Sequence, residues 1–300
     1  NGHNGVNGDY LDAASDDALS VISSESDVYK LAIGRYSASN LINSDMIWSD
    51  PYLVIRRVNI LLSGIDVVPF NTTYTDALGN TRRLNESMKA EARFLRAYFY
   101  FELVKRYGGV PIIGDKVYEL NENIELPRST FEQCIKYIVS ELDDIKDDLR
   151  SLPLPDAAAS AHVVNTQAAQ ALKIRVLLYA ASPLFNEKPI ESGNELIGYA
   201  SYDRERWKIA ADAARNFINT YGTGDGAIMG LDDNFKNVFT NWYSNEHKEV
   251  IFFRENAMDK TVETANGPLG LSGAKQGNGR TNPTQNLVDA FLMKDGHFIK

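Results

Sequence analysis

Between Glu86 and Tyr107 the chain carries apolar residues at helical spacing on more than one side of the helix they would form. Met88, Ala92, Leu95, Phe99 and Leu103 make one stripe, and Phe94, Ala97, Tyr98 and Phe101 widen it around the cylinder. So broad an apolar surface has to be covered from two directions. Gly108 and Gly109 supply a C-terminal cap, and Pro111 forbids continuation. The rest of the fold must therefore supply neighbours around this helix, and the sequence offers mostly other helices.

From Ser129 to Leu149 a narrower stripe runs through Phe131, Ile135, Ile138, Leu142, Ile145 and Leu149. Ser129 followed by Glu132 reads as a capping box, and Pro153 and Pro155 stop the chain beyond. Thr166–Ala181 reads as a third helix, with alanines that let a neighbour approach closely. Asp203–Tyr221 is a fourth, with Trp207, Ala210, Ala211, Ala214, Ile218 and Tyr221 on one face, and Pro51–Ile65 a fifth. A short helix is expected near Asp16–Ile22, a strand at Glu249–Arg254, and a Gly/Asn/Thr-rich loop over residues 257–283. This pattern implies a mainly α fold of tetratricopeptide-like helical hairpins with loop-rich insertions, although the strict repeat consensus is absent. A single domain over residues 1–300 is expected, with 48–222 as the helical repeat core and 223–300 as a loop-rich, ligand-side region.

Composition removes several function classes. The formal net charge of -9, with basic residues scattered along the chain, gives no patch to neutralise a run of phosphates, so nucleic acid is not expected as a partner. Cys134 is the only cysteine, which rules out an intramolecular disulfide and a thiolate cluster; its place in a helical stripe reads as a buried small hydrophobe. The four histidines show no metal-protease spacing, and no phosphate loop or dinucleotide fingerprint occurs. Asp143, Asp144, Asp147 and Asp148 read as the solvated face of a helix, not as the carboxylate pair of a glycosidase. The Gly/Asn-rich opening lacks the closing Glu of a calcium loop. Neither a cofactor nor a metal is expected, and the chain is not expected to be an enzyme.

Arg93-Phe-Leu-Arg96-Ala-Tyr-Phe-Tyr-Phe101 with the exit Tyr107-Gly-Gly-Val-Pro111 resembles the hallmark helix of SusD-like (SusD/RagB) proteins. Further segments agree in type and order. They are Trp48-Ser-Asp-Pro-Tyr52 with Ile55-Arg-Arg-Val-Asn59, Pro127-Arg-Ser-Thr130, Val164-Asn-Thr-Gln-Ala168 with Leu178-Tyr-Ala-Ala-Ser-Pro183, and Pro283 to Phe291 with Asp295-Gly296. The resemblance spans about residues 48 to 300. It implies an outer-membrane, lipid-anchored nutrient-binding protein that captures a glycan and delivers it to a SusC-like TonB-dependent transporter. It also implies a longer chain, because the lipobox cysteine and the family's C-terminal part are not in this sequence, and truncation at both ends is expected.

Sites that hold sugars combine aromatic faces with hydrogen-bonding polar groups. Tyr10 lies beside Asp9 and Asp12, and Trp242 and Tyr243 lie between Asn241 and Asn245. With Arg254 at the end of the strand candidate and Asn278 in the long loop, these are the candidate ligand-binding residues. Packing under a loop is the competing reading of Trp242 and Tyr243, and Trp48 is read as a core residue at the start of its helix. A scaffold binding only peptide or protein partners is the alternative function.

Overall fold

The structure is a computed structural model of the chain. It describes residues 10–21, 26–37, 39–41, 47–119, 121–152, 163–188, 190–224, 227–240, 248–254, 260, 264, 267, 270, 277 and 279–298. The first elements are a 3-10 turn at Leu11–Ala14, β1 at Ala18–Ser20 and α1 at Asp27–Ala32. There follow α2 at Ser49–Gly64, β2 at Thr73–Thr75, β3 at Thr81–Arg83, α3 at Leu84–Tyr107 and α4 at Phe131–Ile145. The chain continues through α5 at Thr166–Ala181, α6 at Pro183–Asn186, α7 at Glu205–Tyr221, α8 at Phe235–Thr240, β4 at Thr281–Pro283 and α9 at Gln285–Ala290.

Trp48–Glu255 form one compact unit, and Asn1–Ile47 with Asn256–Lys300 form another. Residues 223–255, assigned from the sequence to the loop-rich region, thus fall in the helical unit. Within it α3 packs on α2 and α4, α4 on α5, and α5 on α7, so successive helices are spatial neighbours as in tetratricopeptide-like hairpins. α2 and α4 cover α3 from two sides: Ala92, Phe94, Ala97, Phe101 and Leu103 of the expected surface are buried, with Tyr100 and Val104, whereas Leu95 and Tyr98 stay exposed. The α4 stripe is buried from Phe131 to Leu149, and Cys134 lies inside the same core. Phe131 stacks on Phe185 at 4.5 Å and meets the edge of Tyr199 at 5.2 Å.

At the exit of α3 the two glycines have separate reasons. Gly108 has φ of 70°, and a Cβ there would lie 2.2 Å from the Leu196 carbonyl oxygen. A Cβ on Gly109 would lie 2.0 Å from the Ser129 carbonyl oxygen. The chain passes so close because the Gly109 N–H donates to the Leu196 carbonyl and the Ser129 N–H to the Val110 carbonyl.

Four local expectations change. The capping box of α4 is Thr130 with Gln133, one residue beyond the pair read from the sequence; both side chains close on backbone N–H groups. In the segment near Asp16–Ile22 the described residues 16–21 are not helical: residues 18–20 pair antiparallel with Thr281–Pro283 as β1 and β4 of the other unit. Residues 249–254 form no strand, and among the described residues no strand pairs with them. Asn165 Nδ2 donates to the Ile251 carbonyl at 2.9 Å, and Phe252 meets Phe94 edge-on at 5.9 Å. On α7, only Ala210 of the striped face is buried, because α5 covers that helix from one side.

Candidate functional site

The start of α2 and the chain leaving α3 enclose a groove of about 780 Å³. Its lining comes from Trp48, Asp50, Tyr52, Leu53 and Arg56 on one wall and from Pro111, Ile113, Lys116, Tyr118, Glu119, Glu122, Ile124 and Leu126 on the other. Trp48, read from the sequence as core, is 40% exposed and stands at this groove. Its ring is nevertheless fixed: Tyr107 meets it edge-on at 5.0 Å and Tyr52 tilts against it at 5.2 Å. From there an aromatic ladder runs inward through Tyr100, 6.4 Å from Tyr52, to Tyr137, 5.2 Å from Tyr100. The groove therefore presents a rigid apolar platform whose back is part of the core.

Backbone positions on the opposite wall are held by the family-like polar residues of α2 and α3. Asn59 Nδ2 donates to the carbonyls of Gly114 and Lys116 at 2.8 and 3.0 Å. Arg56 donates to the Tyr118 carbonyl at 2.6 Å, and the Tyr52 hydroxyl to the Pro111 carbonyl at 2.9 Å. Arg96, 2% exposed, donates to Asn59 Oδ1, Asp115 Oδ1 and Glu141 Oε2 at 2.6 to 3.0 Å. Arg93 reaches the other Glu141 oxygen at 2.8 Å, so both oxygens of that carboxylate are occupied.

Burial and ion pairing shift three titratable groups at and behind this groove. Burial pushes the Tyr52 hydroxyl above its ordinary value and the Tyr100 hydroxyl up to about 12, so both stay protonated; Tyr52 donates to the Pro111 carbonyl, and Tyr100 accepts from the Ile113 N–H at 2.9 Å. Lys116 closes an ion pair with Glu122, holding that carboxyl below the usual carboxylate range. Glycoside hydrolysis needs a carboxyl raised above that range as its acid, and Glu122 is shifted the opposite way. The carboxylates of α4 and of the turn after it are engaged individually: Asp143 with Lys173 at 2.7 Å, Asp144 with Arg93 at 3.0 Å, and Asp148 with Arg82 at 2.6 Å. Among the described residues, no group of three or more His, Cys, Asp or Glu side chains is gathered to hold a metal ion.

Of the residues singled out from the sequence, Tyr10 is half-buried and its N–H donates to Thr281 Oγ1 at 2.9 Å. Arg254 is exposed at the end of the irregular segment after residue 247. These two belong to different units. Trp242, Tyr243 and Asn278 lie outside the described residues. The groove itself was missed, although Trp48 beside Ser-Asp-Pro and the Tyr118-to-Glu122 stretch between two prolines were visible signals.

A family model described as starch-binding associating with outer membrane matches residues 9–178. A SusD-like protein of Formosa agariphila is 26% identical over 102 residues, which is 34% of this chain and 18% of that protein. A SusD-like protein of Bacteroides fragilis superposes with a TM-score of 0.63 at 25% identity, over 97% of this chain and 50% of that one. A SusD-like carbohydrate-binding protein of the same organism gives 0.65 at 21% identity, over 97% and 48%. The chain thus spans about half the length of these solved structures. Among the described residues, no helix is long and apolar enough to cross a membrane.

Proposed function

The chain belongs to the SusD-like family, and from that premise we propose that it binds a poly- or oligosaccharide at the outer-membrane surface without turning it over. The bound glycan passes to a SusC-like TonB-dependent transporter, and a lipid anchor holds the protein at the membrane. The family's description supports the starch-type ligand and the outer-membrane setting. One observation carries the choice of site: the exposed Trp48 ring, braced from behind by Tyr52 and Tyr107, beside the hydrogen-bonding groups of Asp50, Arg56 and Glu119. A pyranose ring offers one apolar C–H side to such a platform and its hydroxyls to the rim.

Calorimetric titration against a polysaccharide panel tests this reading. A saturable heat for one glycan class, with no released sugar after long incubation, is expected. Trp48→Ala is expected to weaken that binding by about 1–3 kcal/mol, the range for losing one aromatic stacking platform, with a lowered melting temperature from the lost packing on Tyr52 and Tyr107 but a folded chain. Tyr10, Trp242, Tyr243, Arg254 and Asn278 enter the same substitution series as separate candidate contacts. If Trp48→Ala binds as well as the parent, the groove is not the site. Silence of the parent across the whole panel turns the reading toward a scaffold for peptide or protein partners, for which exposed Leu53 and Ile124 on the same groove provide apolar contacts.

A further inference from the structure

We infer that this groove selects uncharged glycan chains and rejects sulfated or uronate-rich ones, an inference that rests on the groove being the glycan site. Three carboxylates, Asp50, Glu119 and Glu122, line it against two cations, Arg56 and Lys116. Of the two cations, Lys116 is committed to the protein and Arg56 in part. Lys116 pairs with Glu122 and lies 4.1 Å from the centre of the Tyr118 ring. The pair is braced from the chain, since the Glu119 N–H donates to the second Glu122 oxygen at 3.3 Å. Arg56 spends part of its donor fork on the Tyr118 carbonyl.

Recognition of a sulfate or carboxylate works best through charge-assisted, bidentate donors aimed at the ligand. This groove closes its ammonium on Glu122 and spends part of its one guanidinium on the backbone, which leaves Asp50 and Glu119 of its lining, unpaired among the described residues, as acceptors for a ligand's hydroxyls. Ionised carboxylates only accept hydrogen bonds. A neutral sugar brings hydroxyl donors to them, whereas a sulfate or uronate brings further acceptors and like charge, which costs binding free energy. The chain's net charge of -9 adds a repulsive field for any polyanion approaching.

The test is a calorimetric comparison of neutral chains (starch, laminarin, xyloglucan, mannan) with anionic ones (alginate, chondroitin sulfate), together with pectin before and after removal of its methyl esters. Saturable binding of a neutral chain, insensitive to salt and weakened in Trp48→Ala, with no heat from the anionic set, is expected. Anionic binding that Trp48→Ala abolishes overturns the inference and leaves glycan capture at this groove standing. Anionic binding that Trp48→Ala leaves intact places the ligand elsewhere and overturns the site assignment. Silence across both sets overturns the capture reading and the inference with it. Glu122→Gln supplies an independent arm: with Lys116 released, an anionic chain is expected to gain about two- to fivefold in affinity, the scale of one exposed charge contact. Absence of any gain overturns the role given to the Lys116–Glu122 pair.

Discussion

Two ion pairs stand on opposite sides of the chain segment that leaves α3. Inside, Arg96 and Glu141 are 2% and 9% exposed at the side chain, and Asn59, Asp115 and Arg93 saturate them. Outside, Lys116 and Glu122 are 53% and 33% exposed and meet across the groove wall. The pairing chemistry is alike, but its physical consequence is opposite. Charges withdrawn from water must be matched donor for acceptor, so the inner cluster dictates where the backbone of residues 114–116 lies. The outer pair remains in water, where an ion pair adds little stability but still decides which charge a ligand meets. One cluster shapes the groove, and the other selects what enters it.

The strongest challenge to that contrast is Arg96→Met. It leaves Asn59 Oδ1 and Asp115 Oδ1 without the Arg96 donor and Glu141 Oε2 with only the 3.4 Å contact from Arg93 Nε. A loss of about 3–5 kcal/mol is expected, as for a buried pair broken on one side, read from the urea midpoint. Arg96→Lys is expected to recover little, because an ammonium cannot span the same acceptors as the guanidinium fork. A loss under about 1 kcal/mol would put Arg96 with ordinary surface pairs and erase the distinction.

Between the extremes lies Asp76, itself 3% exposed but held by a half-exposed Arg82. Burial pushes its carboxyl up, yet hydrogen bonds from the Asn80 and Leu78 N–H groups, the Asn80 amide and Arg82 outweigh that and hold it below its ordinary value. A carboxyl with a depressed folded value stabilises fully above the unfolded value near pH 3.9 (roughly, for Asp) and loses that contribution as the pH falls through the folded one. Asp76→Asn is therefore expected to cost about 1.5–3 kcal/mol at neutral pH. Its melting curve should converge with the parent's in acid. Parallel curves at all pH values would show that the charge of Asp76 contributes nothing.

The inner cluster's consequences were partly legible in the sequence, and the groove's were not. The helices declared themselves because apolar spacing reports one face regardless of what covers it, which is also why the α7 stripe reads like that of α4 although it is mostly uncovered. The capping box slipped by one because Ser129 with Glu132 and Thr130 with Gln133 share the same spacing, and only the backbone entering α4 chooses between them. β1 was read as helix because its partner, Thr281–Pro283, lies near the other end of the chain. Trp48 was read as core because half of its environment is core; the exposed half exists only once residues 111–126 fold back against α2. Arg93 and Arg96 were visible as a motif, but their partner Glu141 sits on another helix.

Glu122→Gln carries the smallest expected stability effect and the sharpest reading of the contrast. Lys116 holds the Glu122 carboxyl below its ordinary value, so the pair is closed at neutral pH and opens only as the pH falls through that depressed value. Because both side chains stand in water, solvent replaces each partner when the pair is broken. The melting temperatures of Glu122→Gln and the parent are therefore expected to coincide from neutral to mildly acidic pH, where Asp76→Asn already differs. A melting deficit as large as that of Asp76→Asn would mean that the outer pair also shapes the groove wall. Lys116 would then be a structural residue like Arg96, and the selection of uncharged ligands would have to come from Asp50 and Glu119 alone.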